Sequence, residues 1–375
     1  MTDSERERHC LVALSLVPGL GAVRVARLLA HFGSAEAAST ADPVALAGVP
    51  GIGRGLAEAV AAARGDGRAS RAFECAARAG ARVITRSDPA YPVRLRQIAA
   101  APPVLYVRGG WPDDAPAAAI VGTRRATPYG LTVAERLASA LAESQVAVVS
   151  GLARGIDAAA HAAVVRARGC TVGVLACGVD VAYPPEHRTL MAAMLARGAL
   201  LAEAPMGAPP ERGAFPARNR LISGLADAVV VVEGDLDSGA LITARQAETQ
   251  GRPVFAVPGS VYARGSAGPH HLLAIGARVL THPDDLLAVL ERASPGDSPG
   301  AGHPGVPPGL TRAEQAVVAA LDRGEARAVD GVAAAAGVRV ADAAAALVAL
   351  EVRGLVHRMP GGLYVASARS WKRQI

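Results

Sequence analysis

The chain reads as an α/β protein built on a mostly parallel, doubly wound sheet, with a small all-α region before the sheet and a winged helix after it. Three observations predict this. Short β-branched runs alternate with helical stretches from Ala117 onward, a glycine-bearing hairpin motif occurs twice before Ala79, and a Pro/Gly/Ser run precedes a helix-turn-helix pattern near the C-terminal end.

The hairpin motif is Val17-Pro18-Gly19-Leu20-Gly21 and again Val49-Pro50-Gly51-Ile52-Gly53, each followed by an amphipathic stretch (AVRVARLLAHF, RGLAEAVAAAR). This is a helix-hairpin-helix signature, which assigns residues 1–80 to a helix-hairpin-helix or SAM-like domain. Such a turn presents backbone N–H groups at a helix N-terminus, where a phosphate can bind without any reading of sequence. The same hairpins also serve as plain packing units, and the residues leave the two readings equal.

Residues 81–292 form the central domain. The runs AAAIVG, VAVVSG, TVGVLACG, ALLAEAP, AVVVVEG, PVFAVPG and ARVL are separated by expected helices near Gly130–Glu143, Asp157–Arg168, Glu186–Ala196, Ala217–Ala226, Ser238–Gln250 and Pro269–Ile275. Nearly continuous apolar strands with helices between them mean a parallel sheet covered on both faces. Ligands of such sheets bind at the carboxyl ends of the strands. The loops expected there carry Gly122, Thr123, Arg124 and Arg125; Ser150, Gly151, Arg154 and Gly155; Cys177 to Asp180; and Phe215, Arg218, Asn219 and Arg220. None is a GxGxxG dinucleotide fingerprint. Arginine for phosphate beside an aromatic face for a base is the chemistry of single-stranded nucleic-acid binding.

The run from Ala293 to Gly309 is a linker, because its Pro/Gly/Ser composition sustains neither helix nor strand. Residues 310–367 then read as three helices and a two-stranded wing with Pro360-Gly361-Gly362 at its tip. The second helix of the helix-turn-helix, ADAAAALVALEVRG, has no basic residue in its first two turns, which disfavours sequence-specific reading of a major groove.

Composition narrows the function classes. Of 39 basic residues 38 are arginine, and Lys372 is the single lysine, which excludes Schiff-base chemistry in the interior and the lysine-bearing P-loop. GC-rich codon usage accounts equally well for the arginine bias. Net charge is +5 over residues 1–110, −2 over 111–303 and +3 over 304–375, so polyanion binding by the middle requires a local arginine patch. The four cysteines form no CxxC and sit near no histidine cluster, so no metal, cofactor or disulfide framework is indicated, and a reducing cytoplasmic location fits. No apolar run is long enough to span a bilayer.

Each candidate group has a structural alternative. Asp157 is placed to cap the following helix, and with His161 it is expected to form a surface pair. Ser150 lies in no nucleophile elbow. Arg218 and Arg220 could pair with Glu203 or Glu233 to hold the sheet, and Gly234 to Ser238 could be only a polar turn. Two other function classes stand as alternatives. One is a nucleotide-processing, phosphoribohydrolase-like enzyme, although its PGGxGTxxE block is missing and the PGG at 360–362 lies in the wing. The other is a winged-helix transcription regulator.

Seven blocks in order resemble the DNA-processing protein A family, also called Smf, the bacterial DNA-protecting proteins. They are Tyr91–Gly109, Ile120–Gly130, Val149–His161, Gly173–His187, Phe215–Glu233, Ser238–Ala247 and Pro253–Ser260, and the resemblance spans nearly the whole chain. It implies an extended Rossmann-like domain that binds single-stranded DNA as a homodimer and helps to load a RecA-type recombinase, with single-strand-binding protein as a further partner. It also implies a role in recombination and natural transformation, and no enzymatic activity. Carried over position by position, the DNA-contacting residues are Gly122, Thr123, Arg124, Arg125, Ser150, Gly151, Arg154, Gly155, Phe215, Arg218, Asn219 and Arg220. The chain departs from the family pattern at VVEG, where VVEA is usual, and in the acidic GDLD that follows.

Overall fold

The computed structural model describes residues 2–291, 310–321, 327–353, 356–359 and 363–366. Six helices come first: α1 Asp3–Ser15, α2 Ala22–Phe32, α3 Ala35–Thr40, α4 Pro43–Ala47, α5 Arg54–Ala62 and α6 Arg68–Arg78. The two hairpin motifs join α1 to α2 and α4 to α5. Gly19 and Gly51 sit at their tips with φ of +81° and +84°, a left-handed backbone that a side chain would strain. Gly21 and Gly53 cap α2 and α5 with no side-chain hydrogen bond. Leu14, Leu28, Leu46 and Val60 of these helices share one core with Val83, Tyr106 and Leu200 of the sheet. The helical region is therefore built onto the sheet, and the chain divides into two compact units, residues 1–296 and 297–375.

Nine strands follow in the first unit: β1 Ala81–Thr85, β2 Val104–Gly109, β3 Ala117–Val121, β4 Ala147–Ser150, β5 Thr171–Leu175, β6 Ala199–Ala202, β7 Ala228–Val231, β8 Val254–Ala256 and β9 Arg278–Val279. Their order is β1-β2-β6-β5-β4-β3-β7-β8-β9. The seven strands from β6 to β9 are parallel and coincide with the seven apolar runs, while β1 and β2 add an antiparallel edge. The intervening helices are α7 Val93–Arg96, α8 Pro128–Glu143, α9 Ile156–Arg166, α10 Arg188–Met194, α11 Ala214–Leu225, α12 Gly239–Thr249, α13 Ala267–Ala274 and α14 Pro283–Leu290.

The strand side chains alternate between two cores, as the two-residue period demands. Ala119, Val121, Val149, Val229 and Val231 face Leu95, Leu221, Ile222, Leu225, Ala244 and Leu272 from α7, α11, α12 and α13. Ile120, Val148 and Val230 face Leu137, Leu141, Ile156, Val164 and Leu286 from α8, α9 and α14. From β3 the chain winds outward to β6, then returns through α11, which lies across β3, β4 and β5, to place β7 on the other side of β3. The order reverses at β3, the point at which an open parallel sheet leaves a crevice at its carboxyl edge.

The second unit has its own core. Helices α15 Arg312–Leu321, α16 Val329–Ala336 and α17 Val340–Val352 bury Val317, Leu321, Val332, Leu347 and Leu350 against Val356 and Tyr364. The strands β10 Arg327–Ala328, β11 Val356–Met359 and β12 Leu363–Ala366 pair in the order β10-β12-β11. Gly337, with φ of +65°, makes the turn between α16 and α17. The linker from Ala293 to Gly309, the wing tip Pro360-Gly361-Gly362 and Lys372 lie outside the described residues. Among the described residues no single helix is long and apolar enough to cross a membrane.

Candidate nucleic-acid interface

The crevice at the reversal point is a cleft of about 590 Å³ at the carboxyl ends of the strands. Its walls come from the loop after β3 (Gly122, Thr123, Arg124, Arg125), the start of α11 (Phe215, Arg218, Asn219), Tyr183 after β5, Asp235 after β7 and the first turn of α12.

The floor is a set of tight packings. Gly155, with φ of +76°, lets the loop after β4 press against the loop after β3, where a Cβ would lie 2.3 Å from the carbonyl oxygen of Thr123. Gly122 is packed against Ile156 and the backbone of Glu233, and the Thr123 N–H donates to the Glu233 carbonyl at 2.7 Å. The buried Glu233 carboxylate accepts from the N–H and hydroxyl of Thr127, which caps α8. The β3 and β7 loops are thereby locked together.

Several expectations need correction. The helix expected near Ala217–Ala226 is present but starts earlier, at Ala214, so Phe215 to Arg220 do not lie in a loop; they form the first half of α11. Arg218 is buried. Its Nη1 donates to the carbonyl oxygens of Gly151 and Val174, and its Nε donates to Oδ1 of Asn219 at 3.3 Å. Burial pushes the Arg218 guanidinium down to about 10, partly opposed by the nearby Asp157, so it remains charged at neutral pH. Arg218 thus holds the β4 and β5 ends together beneath the cleft. Arg220 is drawn away from the cleft lining, donating to Glu203 at 2.7 Å and to the Ala100 carbonyl at 3.1 Å, the structural alternative foreseen for it. The Ser150 hydroxyl is fully buried and donates to the Ile120 carbonyl.

Asp157 and His161 are no surface pair either. Both are buried. The Asp157 carboxylate accepts from the N–H groups of Gly151 and Ala153, which shapes the SGLARG loop, and burial raises its pKa against the pull of Arg218. His161 Nδ1 lies 2.7 Å from Thr171 Oγ1, whose hydroxyl donates to the Val148 carbonyl, so His161 donates there. Burial pushes the His161 imidazole down to about 3.

What faces solvent is a cationic and aromatic rim. Arg124 and Arg125 are exposed, and so is Arg212, just ahead of α11, a cleft residue that the sequence motifs do not single out. Among the described residues none of the three is ion-paired with a carboxylate. The Arg124 guanidinium lies 5.1 Å from the centroid of the Phe215 ring, and the Tyr183 ring packs against Phe215 at 5.6 Å. Arg154 is also exposed but is bound to Glu186 at 2.5 Å, and Asn219 donates from Nδ2 to the Gly239 carbonyl at 3.2 Å. Three arginines without a carboxylate partner among the described residues thus stand around two tilted rings, the combination of cationic groups and aromatic faces that suits phosphates and bases.

A family model for DNA recombination-mediator protein A matches residues 82–291, the whole of the sheet and its helices. The chain belongs to the DNA recombination-mediator protein A family. A second model, for the DprA winged helix domain, matches residues 301–362. Protein Smf of Synechocystis sp. is 36% identical over 96% of this chain and 98% of its own length, and the putative DNA processing protein DprA of Mycobacterium tuberculosis is 42% identical over 83% of each chain. Among solved structures, the DNA processing protein A of Streptococcus pneumoniae superposes with a TM-score of 0.65 and 31% identity, over 76% of this chain and 97% of that one. The protein of that name from Helicobacter pylori, described for its single-stranded DNA binding mode, superposes with a TM-score of 0.50 and 29% identity over 57% of this chain and 97% of its own. The mostly parallel Rossmann-like sheet and the C-terminal winged helix read from the sequence are those of this family.

Proposed function

We propose that the protein is a cytoplasmic recombination mediator that holds single-stranded DNA in the cleft between the β3 loop and α11. The observation that carries this is the rim itself: Arg124, Arg125 and Arg212 are exposed and without a carboxylate partner among the described residues, beside the packed, tilted rings of Phe215 and Tyr183. Phosphates meet the arginines and bases meet the ring faces, so binding is insensitive to sequence and sensitive to salt. The likeness to the Helicobacter pylori protein supports the same reading.

Binding rather than catalysis is supported by the state of the reactive groups near the cleft. The Ser150 hydroxyl is buried and bonded, the Cys177 thiol is pushed up to about 11 by burial, and Asp157 is engaged by backbone. Loading of a RecA-type recombinase, contact with single-strand-binding protein and dimer formation rest on family membership. They are tested by recombinase filament assembly on strands already coated by single-strand-binding protein, which the protein should accelerate. The cleft is tested by gel shift of the Arg124→Ala variant, which should bind all single strands more weakly whatever their sequence; unchanged binding removes this reading.

A further inference from the structure

We infer that the reverse turn at residues 260–263, after β8, is a base-stacking platform that carries a bound single strand beyond the arginine cleft, with Tyr262 as its stacking ring. This rests on the reading of the cleft as a single-strand site. Tyr262 is 96% exposed and Val261 77% exposed in a chain with only 3% aromatic residues. They are the central residues of a turn closed by the Ala263 N–H on the Ser260 carbonyl at 3.0 Å, and the Tyr262 N–H donates to Ser260 Oγ at 3.3 Å. The ring is thus held out into solvent by a bonded turn.

The turn is continuous with the cleft. Arg264 pairs at 3.3 Å with Asp235, a cleft residue, and the Gly265 carbonyl accepts from the Gly234 N–H at 2.7 Å. From the other side Tyr129, itself half-exposed, donates its hydroxyl to the Pro258 carbonyl at 2.7 Å, and it stands at the start of α8, directly after the Arg124–Arg125 loop. Tyr129 and Tyr262 therefore both stand at the segment after β8, which Arg264 and Gly265 tie to the β7 side of the cleft.

The chemistry of this extension differs from that of the cleft. Between the two lies the acidic β7 loop, where Asp235 is neutralised by Arg264 but Asp237 is exposed beside the exposed Leu236. A phosphate is repelled there, while the face of a base is not. The platform recognises bases through stacking, so it adds affinity for longer strands without adding to the salt dependence.

The test compares the full chain with its Tyr262→Ala, Tyr262→Phe and Arg124→Ala variants by fluorescence anisotropy, using oligothymidylates of about 5 and about 16 nucleotides, a span typical of single-strand sites. Tyr262→Ala should weaken the longer strand about tenfold, with the shorter strand and the salt slope unchanged, and Tyr262→Phe should bind as the parent does. Parental affinity of Tyr262→Ala for the longer strand overturns the inference. So does a change confined to sedimentation behaviour, which would make the turn a self-association surface. Loss of binding by Arg124→Ala alone leaves the cleft standing and removes only the platform, whereas parental binding by both variants removes the cleft reading as well.

Discussion

The guanidinium of Arg218 binds the protein's own carbonyls, whereas that of Arg124 is open to solvent beside Phe215. Two arginines of one cleft therefore fail in different ways. Arg218→Met leaves the buried Gly151 and Val174 carbonyls without their donor, and an unsatisfied buried polar group typically costs about 1–3 kcal/mol. Urea unfolding should show that loss. Arg124→Ala should leave stability within about 0.5 kcal/mol and lower only DNA affinity. His161 adds a pH signature. Its folded pKa of about 3 lies below the ordinary imidazole value near 6.5, so the unfolded chain takes up the proton first. Its contribution is complete above about pH 6.5 and declines as pH falls toward 3, by roughly 2 kcal/mol between pH 7 and pH 5. Asp157, with its pKa raised, works in the opposite sense through its own window. The difference between the parent and His161→Gln in urea isolates the histidine, and the variant should lose this part of the acid dependence.

At the scale of elements, the site depends on one helix crossing three strands and two loops touching at a glycine. Gly155→Ala combines a strained backbone with a collision at the Thr123 carbonyl. It should cost about 1–3 kcal/mol of stability and weaken DNA binding, because it displaces the loop that bears Arg124; a variant with parental melting and affinity would refute this account of the floor. The same elements show what was legible in the sequence. Six of the seven parallel strands, β3 to β8, are readable because each is buried on both faces and appears as an apolar run, whereas β9 is a two-residue edge strand with Val279 exposed. Helix α11 is not readable from its start, because Pro216 within FPARNR suggests a loop; in the first turn of a helix a proline lacks only an N–H that has no partner there. Arg218 and Arg220 are indistinguishable from phosphate ligands in a linear motif, since the carbonyls and Glu203 that engage them lie far away in the chain. Arg212 has no motif around it, and only the fold brings it to the rim.

The whole molecule divides into two units with separate cores, and the cleft lies entirely in the first. A chain ending at residue 296 should fold and bind single strands within about twofold of the parent, since no cleft residue and no core cluster of the first unit is removed. A larger loss, read by anisotropy, would assign the winged helix a direct share in DNA binding. The central claim is that three unpaired arginines, in a stretch (residues 111–303) of net charge −2, neutralise phosphates. It is tested most directly by the salt dependence of single-strand binding for the parent and for Arg124→Ala/Arg125→Ala/Arg212→Ala. Each lost phosphate contact removes about 0.7 from the log–log slope, so the triple variant should be shallower by about 2. An unchanged slope would contradict the account.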